Sequence, residues 1–361
     1  MASTVESACE RGVDTVSEPT AVGDLVSVVI PVYNVGPYLR ECLWSVGAQS
    51  YLSTEIIVVD DGSTDASGEI CDRFAANDGR CVVIHQRNGG LSLARNVGLE
   101  ASHGRFVTFV DGDDYLAREF LTELVRAARR TRASVVASGC TFVTENGQYM
   151  GRMTPPTARL MPGRRAFLEH LRAPTIVSTS ACGKLFERSL FADHQLEFPV
   201  GRLYEDNYLT PRVYYYARSV AWEVTCGYMY RQRDSSISAA PLDARSIRDW
   251  TGASEALNDW LVAEGIGRLQ LLECYRAALR LAALNAAARR GTTGSKELTE
   301  LLAAVRASRR RVLMMGAAPL RTRLMLAASV LGFPVYRRVI QLTSRLGLGV
   351  QRPARTRLRK G

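Results

Sequence analysis

Between Val26 and Ser138, short runs of β-branched and aromatic residues alternate with segments whose apolar residues recur at helical spacing. Strands that alternate with helices in this way pair in parallel, because each helix carries the chain back across one face of the sheet. We therefore predict an α/β fold with a doubly wound, mostly parallel sheet, in which ligands bind at the carboxyl ends of the strands. The predicted strands are Val26–Val32, Glu55–Asp60, Cys81–Gln86, Arg105–Val110 and Ser134–Ser138.

The composition changes along the chain and indicates four parts. We predict a disordered segment over residues 1–24, an α/β domain over 25–240, a helical region over 241–350 and a basic tail over 351–361. Inside the α/β domain, the stretch from Tyr149 to Arg164 contains proline and glycine, so we expect a loose connector there.

The region after residue 241 is rich in Ala, Leu and Arg at helical spacing. We predict helices over Ile247–Ala263 and Leu269–Ala288. A further apolar and basic stretch, Val312–Leu348, is interrupted at Pro319, Gly332 and Pro334 and is not expected to form one continuous helix.

Charge is unevenly distributed in this chain, whose formal net charge is +10. Residues 301–361 contain fourteen Arg or Lys and no acidic residue, which leaves 32 basic and 36 acidic groups in residues 1–300. Such a body is not typical of a nucleic-acid-binding protein. The N-terminus lacks a secretory signal and no run of about 18 uncharged apolar residues occurs, so we expect a cytoplasmic protein. The eight cysteines are scattered without a Cys-x-x-Cys pair and are predicted to be reduced.

Two predicted strands end in polar residues that would meet at one edge of the sheet. The first ends in Pro31-Val32-Tyr33-Asn34, and the second in Asp60-Asp61-Gly62-Ser63-Thr64-Asp65. A carboxylate at this edge can accept a hydrogen bond from a base or a ribose hydroxyl, and a tyrosine ring can stack on the base. The alternative is a simple turn, in which Asp65 or Ser63 caps the next helix.

The fourth predicted strand runs directly into Asp111-Gly112-Asp113-Asp114. Three carboxylates within four residues repel one another, and a cation would relieve that repulsion. Ligand sets made only of oxygen favour Mg²⁺ or Mn²⁺, which would bridge the phosphates of a nucleotide sugar and stabilise the departing diphosphate. The alternative is a solvated acidic turn that caps a helix beginning near Leu116.

A glycine turn that opens a predicted helix lies between these motifs, Asn88-Gly89-Gly90-Leu91-Ser92-Leu93-Ala94-Arg95-Asn96-Val97-Gly98. A helix start offers unpaired backbone N–H groups, and Arg95, one turn in, would reach an anionic phosphate. The turn is neither a Walker sequence nor a dinucleotide-binding fingerprint. An arginine on a solvated helix face is the alternative.

These four motifs, in this order over about ninety residues, resemble glycosyltransferase family 2, whose members have the nucleotide-diphospho-sugar transferase (GT-A) fold. The resemblance continues more loosely to about Arg233. It implies an inverting hexosyltransferase that uses a nucleotide-diphosphate sugar, with UDP favoured, and a divalent metal, Mn²⁺ or Mg²⁺. The donor-binding residues that it implies are Pro31, Tyr33, Asn34, Asp60, Asp61, Arg95, Asp111 and Gly112.

The resemblance also implies individual roles. Tyr33 resembles the base-stacking residue, and Asp61 resembles the carboxylate that binds uracil. Asp111 and Asp113 match the family's DXD pair of metal ligands, with Asp113 the stronger candidate for direct contact with the metal.

Inverting transfer requires a base that takes the proton from the attacking hydroxyl. Tyr204-Glu205-Asp206-Asn207 resembles the family's Glu-Asp element, which makes Asp206 the candidate base. The alternative for Asp206 is an acid that caps a helix. The candidate contacts to acceptor or phosphate are Lys184, Glu205, Arg231 and Arg233. For Lys184, the alternative is a lysine on the protein surface without a role in binding.

The basic C-terminal stretch interleaves its cations with apolar residues, a pattern that is attracted to anionic membrane surfaces. Together with the resemblance to enzymes that build bacterial surface polysaccharides, it predicts a saccharide or polyprenyl-diphosphate-linked acceptor. It also predicts a peripheral position at the inner face of the plasma membrane. The alternatives are a dimerisation arm, an ordinary helical subdomain, or a disordered tail from Gln351 onward.

Three other functions share parts of this pattern. A sugar-1-phosphate nucleotidylyltransferase opens its first loop with a Gly-rich, Arg-containing segment, and a nicotinamide-dependent oxidoreductase carries a dinucleotide fingerprint. The segment from Pro31 to Gly36 is neither. A non-catalytic sugar-nucleotide or polysaccharide-binding protein of the same fold would not require Asp111, Asp113 and Asp206 together.

Overall fold

The computed structural model describes residues 24–345, except for residues 156, 173–178, 234–239, 268, 291, 293–294 and 315–319. The predictions for residues 1–23 and 351–361 therefore lie outside the described residues. The strands within them are β1 (Val26–Val32), β2 (Thr54–Asp60), β3 (Cys81–His85), β4 (Phe106–Phe109), β5 (Tyr115–Leu116), β6 (Val135–Ala137), β7 (Cys140–Thr144), β8 (Tyr149–Met153), β9 (Arg159–Pro162), β10 (Lys184–Glu187), β11 (Ser219–Trp222) and β12 (Tyr228–Gln232). The helices are α1 (Gly36–Gly47), α2 (Ser67–Ala75), α3 (Leu91–Glu100), α4 (Phe120–Thr131), α5 (Gly163–Arg172), α6 (Ser189–Asp193), α7 (Asp206–Tyr216), α8 (Ala244–Ala263), α9 (Leu271–Arg290), α10 (Lys296–Met314), α11 (Leu320–Ala328) and α12 (Phe333–Arg345).

Eight strands form one sheet in the order β3-β2-β1-β4-β10-β6-β11-β9. β1 pairs in parallel with β2 and β4, and β2 pairs in parallel with β3. This arrangement confirms the predicted doubly wound sheet, and the predicted strand ends agree with the observed ones to within one residue. Beyond β4 the sheet is mixed, because β10 enters antiparallel between β4 and β6.

The stretch from Tyr149 to Arg164 is not the loose connector that we predicted. It contains β8 and β9, and α5 begins inside it. β9 pairs antiparallel with β11, about sixty residues further along the chain. Pairing with so distant a strand leaves no trace in the local proline and glycine content, which is why the prediction was wrong.

A second sheet has the order β5-β12-β7-β8. The residues just after the acidic motif form β5, which pairs with β12, and the next helix, α4, begins only at Phe120. The helix expected near Leu116 in the capping alternative is therefore absent from this part of the described chain. The pairing brings β12 against the loop that follows β4.

Helix α3 lies directly on β1. A Cβ on Gly98 would lie 2.3 Å from Cγ1 of Val29, so the helix can approach the strand this closely only because residue 98 is glycine. This close contact fixes the position of the helix that carries Arg95.

The helices after residue 243 form an apolar cluster of their own. α8 begins after Asp243, whose carboxylate accepts a hydrogen bond from the backbone N–H of Ser246 at 2.7 Å. In α12, Tyr336 and Ile340 are buried in this cluster, to which α9 contributes most of the partners. The helical C-terminal region is thus confirmed, and the two helices predicted in it, α8 and α9, start three and two residues from their predicted positions. Among the described residues, no helix is long and apolar enough to cross a membrane.

Candidate active site

The carboxyl ends of β1, β2 and β4 lie side by side at one edge of the large sheet. Each of these strands runs into one of the polar motifs of the sequence. We call the three segments Pro31–Asn34, Asp60–Asp65 and Asp111–Asp114 together the rim. The parallel register brings them to one place, as predicted.

Contacts between its loops hold the rim together. Asn34 has a φ of 51°, in the left-handed region that asparagine tolerates, and its Oδ1 accepts a hydrogen bond from the backbone N–H of Thr64 at 2.8 Å. A Cβ on Gly112 would lie 3.2 Å from the carbonyl oxygen of Pro31, so glycine allows the β4 loop to approach β1. Tyr33, beside Asn34, is 49% exposed, and its ring is open to a stacking partner.

Asp60 and Asp61 are both buried. Oδ2 of Asp60 lies 2.9 Å from Nδ1 of His85, and this hydrogen bond raises the pKa of His85. The carboxylate of Asp61 accepts hydrogen bonds from the backbone N–H groups of Gly89 and Gly90, at 2.9 and 2.7 Å. Asp60 therefore joins the rim to β3, and Asp61 joins it to the glycine turn before α3. A contact between Asp61 and a base stays a prediction.

Arg95 is only 2% exposed. Its Nη2 donates to Oδ1 of Asp111 at 2.8 Å, and its Nη1 donates to Oε1 of Glu205 at 2.5 Å. Neither the solvated helix face nor the open phosphate contact that we considered for Arg95 agrees with this burial. A buried guanidinium requires carboxylate partners, and one of these lies 110 residues away in sequence. Arg95 therefore joins the loop after β4 to the residues that precede α7.

The side chain of Asp114 binds the loop after β4 to β12, although Asp114 belongs to the acidic cluster in the sequence. Its carboxylate accepts hydrogen bonds from Oη of Tyr228 at 2.7 Å and from the backbone N–H of Arg231 at 2.8 Å. Burial raises the pKa of Asp114 well above its ordinary value. The side chain of Arg231 is also buried and forms an ion pair with Glu41 at 2.5 Å, so it does not face a ligand as predicted.

Asp111 and Asp113 fit a divalent-cation site that a bound ligand would complete. Their side chains are 27% and 17% exposed, and each has one arginine contact, from Arg95 and Arg233 respectively. Burial and the charge of Asp111 raise the pKa of Asp113. The two carboxylates repel each other, and a bound cation would relieve this repulsion. The described residues hold no group of three or more His, Cys, Asp or Glu that could bind a metal by itself. Mg²⁺, however, commonly binds one or two carboxylates together with substrate phosphates.

Asp206 is the first residue of α7, and its side chain is 20% exposed. Its Oδ1 lies 3.5 Å from Nη1 of Arg95 and is buried without a hydrogen-bond partner in the described part of the chain. Burial and then the charge of Glu205 raise the pKa of Asp206 to about 7. A carboxylate with such a pKa is partly ionised at neutral pH and is basic enough to accept a proton.

Lys184 is buried, with 1% exposure, and its Nζ donates a hydrogen bond to the carbonyl oxygen of Ser180. The surface lysine that we considered is therefore ruled out, and a direct contact with acceptor or phosphate does not agree with this burial. Burial lowers the pKa of Lys184 to about 8, and the charge of Asp206 opposes this shift. Lys184 is thus a buried cation close enough to influence the candidate base.

Two residues that shape the site were not predicted. Tyr228 contacts Asp114, which is 114 positions away, and His85 contacts Asp60, which is 25 positions away. The available signal for His85 was its place at the end of the strand next to β2, directly opposite Asp60 in the parallel register. No comparable signal in the sequence indicates Tyr228.

Comparison with known proteins agrees with this fold. Residues 27–195 match the family described as glycosyl transferase family 2. The chain is 32% identical over 243 residues to glycosyltransferase GlyG of Streptococcus pneumoniae serotype 4, covering 63% of this chain and 77% of GlyG. It is 39% identical over 223 residues to glycosyltransferase GlyA of the same organism, covering 60% of this chain but only 32% of GlyA. It is also 35% identical over 215 residues to the putative glycosyltransferase EpsH of Bacillus subtilis, and this alignment covers 59% of this chain and 62% of EpsH.

A solved structure of residues 1–349 of S. aureus TarS in complex with UDP-GlcNAc superposes with a TM-score of 0.63 at 21% sequence identity. The superposition covers 89% of this chain and 92% of that one, and it shows a common fold. This common fold is the GT-A fold. With the family match and the similarity to GlyG, we conclude that the chain belongs to glycosyltransferase family 2.

Proposed function

We propose that the chain is an inverting, metal-dependent glycosyltransferase that moves a hexose from a UDP-sugar to a hydroxyl of a saccharide or lipid-linked saccharide, in the synthesis of a cell-surface polysaccharide. The observation that carries this proposal is Asp206, whose buried carboxylate oxygen lacks a hydrogen-bond partner among the described residues. Arg95 lies between this carboxylate and Asp111 of the candidate metal pair.

The donor and acceptor classes have separate support. The exposed ring of Tyr33 suits a stacked base, and the similarly folded TarS was solved in complex with UDP-GlcNAc. A relative that is 29% identical, from Bacillus spizizenii, is a poly(ribitol-phosphate) beta-glucosyltransferase. These names favour a UDP-hexose donor and a surface polymer, or its precursor, as the acceptor.

In the proposed reaction, Asp206 removes the proton from the acceptor hydroxyl as that oxygen attacks the anomeric carbon of the donor sugar. The bond between the anomeric carbon and the diphosphate breaks, and UDP leaves with its electron pair. This single displacement inverts the configuration at the anomeric carbon. A divalent cation bound by Asp111 and Asp113 would supply positive charge to the departing diphosphate.

We expect the purified protein to release UDP slowly from one member of a panel of nucleotide sugars when Mn²⁺ or Mg²⁺ is present. Adding EDTA should stop this release, and adding a matching acceptor should accelerate it. The measurement is nucleotide release, followed by calorimetry for donors that give no turnover. If no nucleotide sugar binds with metal present, the proposal is wrong. If one binds but no acceptor supports turnover, a non-catalytic sugar-nucleotide-binding protein is favoured.

The C-terminal helices carry features that favour a membrane-bound acceptor. Leu324 and Val330, at α11 and just after it, and Val335 and Val339 of α12 are exposed although they are apolar. Residues 301–361 add fourteen cations and no acidic residue. Each basic residue near an anionic leaflet contributes about 1 kcal/mol of attraction, so we propose that this surface places the enzyme at the inner face of the plasma membrane.

In a sedimentation assay, we expect the protein to bind phosphatidylglycerol-containing vesicles at low salt and to be released at high salt. The double variant Val335→Ser/Val339→Ser should bind several-fold less, because it removes apolar surface without changing charge. A matched control is Val82→Ser/Val224→Ser, which alters two valines that are comparably exposed elsewhere. Failure of the parent protein to bind anionic vesicles, or equal losses in both double variants, would contradict this placement.

A further inference from the structure

One atom of Arg95 faces two carboxylates. Its Nη1 donates a hydrogen bond to Oε1 of Glu205 at 2.5 Å, while Oδ1 of the next residue, Asp206, lies 3.5 Å away and makes no hydrogen bond in the described structure. Nη2 of the same guanidinium is engaged by Asp111 at 2.8 Å. Glu205 therefore has the contact that Asp206 would otherwise make.

In this arrangement, nearby positive charge only partly neutralises the negative charge of ionised Asp206. Arg95 is one cation shared among three carboxylates, and the only other buried cation near Asp206 is Lys184 within the described residues. The charge of Glu205 also repels the charge of Asp206 directly. The charged and titratable groups that face Asp206 are Glu205 beside it, Arg95 of α3, Asp111 after β4, Lys184 of β10 and Tyr214 of α7.

We infer that Glu205 is a positioning residue that keeps Nη1 of Arg95 engaged and thereby leaves Oδ1 of Asp206 without an arginine hydrogen bond and basic for the acceptor. This inference rests on the proposed role of Asp206. A carboxylate that accepts a hydrogen bond from arginine is stabilised in its ionised form and becomes a weaker base. Without Glu205, Nη1 of Arg95 would be available to Asp206, which is only 3.5 Å away.

The test is the pH dependence of kcat/KM in a Glu205→Gln variant, with metal and donor held constant. Glutamine keeps the shape of the side chain but removes its charge. We expect the acid limb of the profile to move down by about 1 pH unit, and kcat on the alkaline plateau to fall roughly tenfold, because the base is weaker. Glu205→Asp, which keeps the charge, should return the acid limb toward that of the parent.

Direct titration of Asp206 by ¹³C NMR in the parent and in Glu205→Gln gives a second measurement that does not depend on turnover. We expect its pKa to be lower in the variant, with the circular dichroism spectrum and donor affinity close to those of the parent. An unchanged acid limb together with an unchanged titration of Asp206 would overturn the inference. If Asp206→Asn kept full activity, the proposed function would fail instead, so the two failures are distinguishable.

Discussion

Asp206→Asn is expected to slow glycosyl transfer by roughly 10³-fold, the usual loss when a general base is removed. Asparagine has nearly the same shape as aspartate but cannot accept the proton of the acceptor hydroxyl at neutral pH. The affinity for the UDP-sugar should change little, because Asp206 is placed on the acceptor side of the donor in the proposed reaction. Initial rates with saturating acceptor, together with donor-binding calorimetry, measure the two quantities separately.

The same substitution should not destabilise the fold, and above neutral pH it should stabilise it. The pKa of Asp206 is raised from its ordinary 3.8 to about 7 in the folded chain. The folded state therefore holds this proton more tightly than the unfolded state does, and ionised Asp206 lowers stability increasingly as the pH rises from about 4 to about 7. Asparagine removes this cost, which is on the order of 4 kcal/mol above pH 7. Thermal unfolding at pH 8 and at pH 4 measures the difference, which should nearly vanish at pH 4.

A matched control is Asp193→Asn, which removes an exposed carboxylate of α6 and should leave transfer unchanged. Activity of Asp206→Asn within a few-fold of the parent would show that another group accepts the proton. An inactive variant that is also less stable at pH 8 would instead indicate that Asp206 supports the fold.

Much of the fold was predictable because its determinants are local. β1 is buried along its whole length, and β2 beside it contains the continuous apolar run Ile56-Ile57-Val58-Val59, which is the pattern of a parallel sheet covered on both faces. The rim followed from the same pattern, since the carboxyl ends of parallel strands meet at one edge. Asp111 and Asp113 could thus be placed together from the sequence alone.

The roles of the buried charges could not be predicted in this way. From the sequence, Arg95 and Lys184 were predicted to bind phosphate or to lie on the surface, because charged residues are rarely buried without partners. The partners of Arg95 are Asp111, 16 positions away, and Glu205, 110 positions away. Contacts of that separation depend on where the residues before α7 and the loop after β4 lie relative to α3, which no local window of the sequence contains. Asp114 could not be assigned for the same reason, because its partners are distant in sequence. It follows two other acidic residues closely, but in the structure its carboxylate accepts hydrogen bonds from β12.

Asp113→Ala is expected to abolish metal-supported transfer, lowering kcat/KM on the order of 10³-fold, because charge stabilisation by a cation is worth several kcal/mol. The variant should equal the parent protein in EDTA, and EDTA should have no further effect on it. Calorimetry in the presence of UDP should show the Mn²⁺ binding of the parent and none in the variant. A parent enzyme that is fully active in EDTA would contradict the assignment of this pair.

Asp114→Ala should have a different effect from Asp113→Ala, because the two side chains have different surroundings. Loss of the Asp114 carboxylate would leave Oη of Tyr228 and the backbone N–H of Arg231 buried without their acceptor, which costs about 1–3 kcal/mol for each group. We therefore expect Asp114→Ala to lower the unfolding temperature while the folded fraction still binds Mn²⁺ and UDP. Asp113→Ala should do the reverse, losing the metal with a smaller change in stability. If both variants lost the metal equally and remained equally stable, the acidic motif would act as one undivided cluster, and Asp113 and Asp114 would not have separate roles.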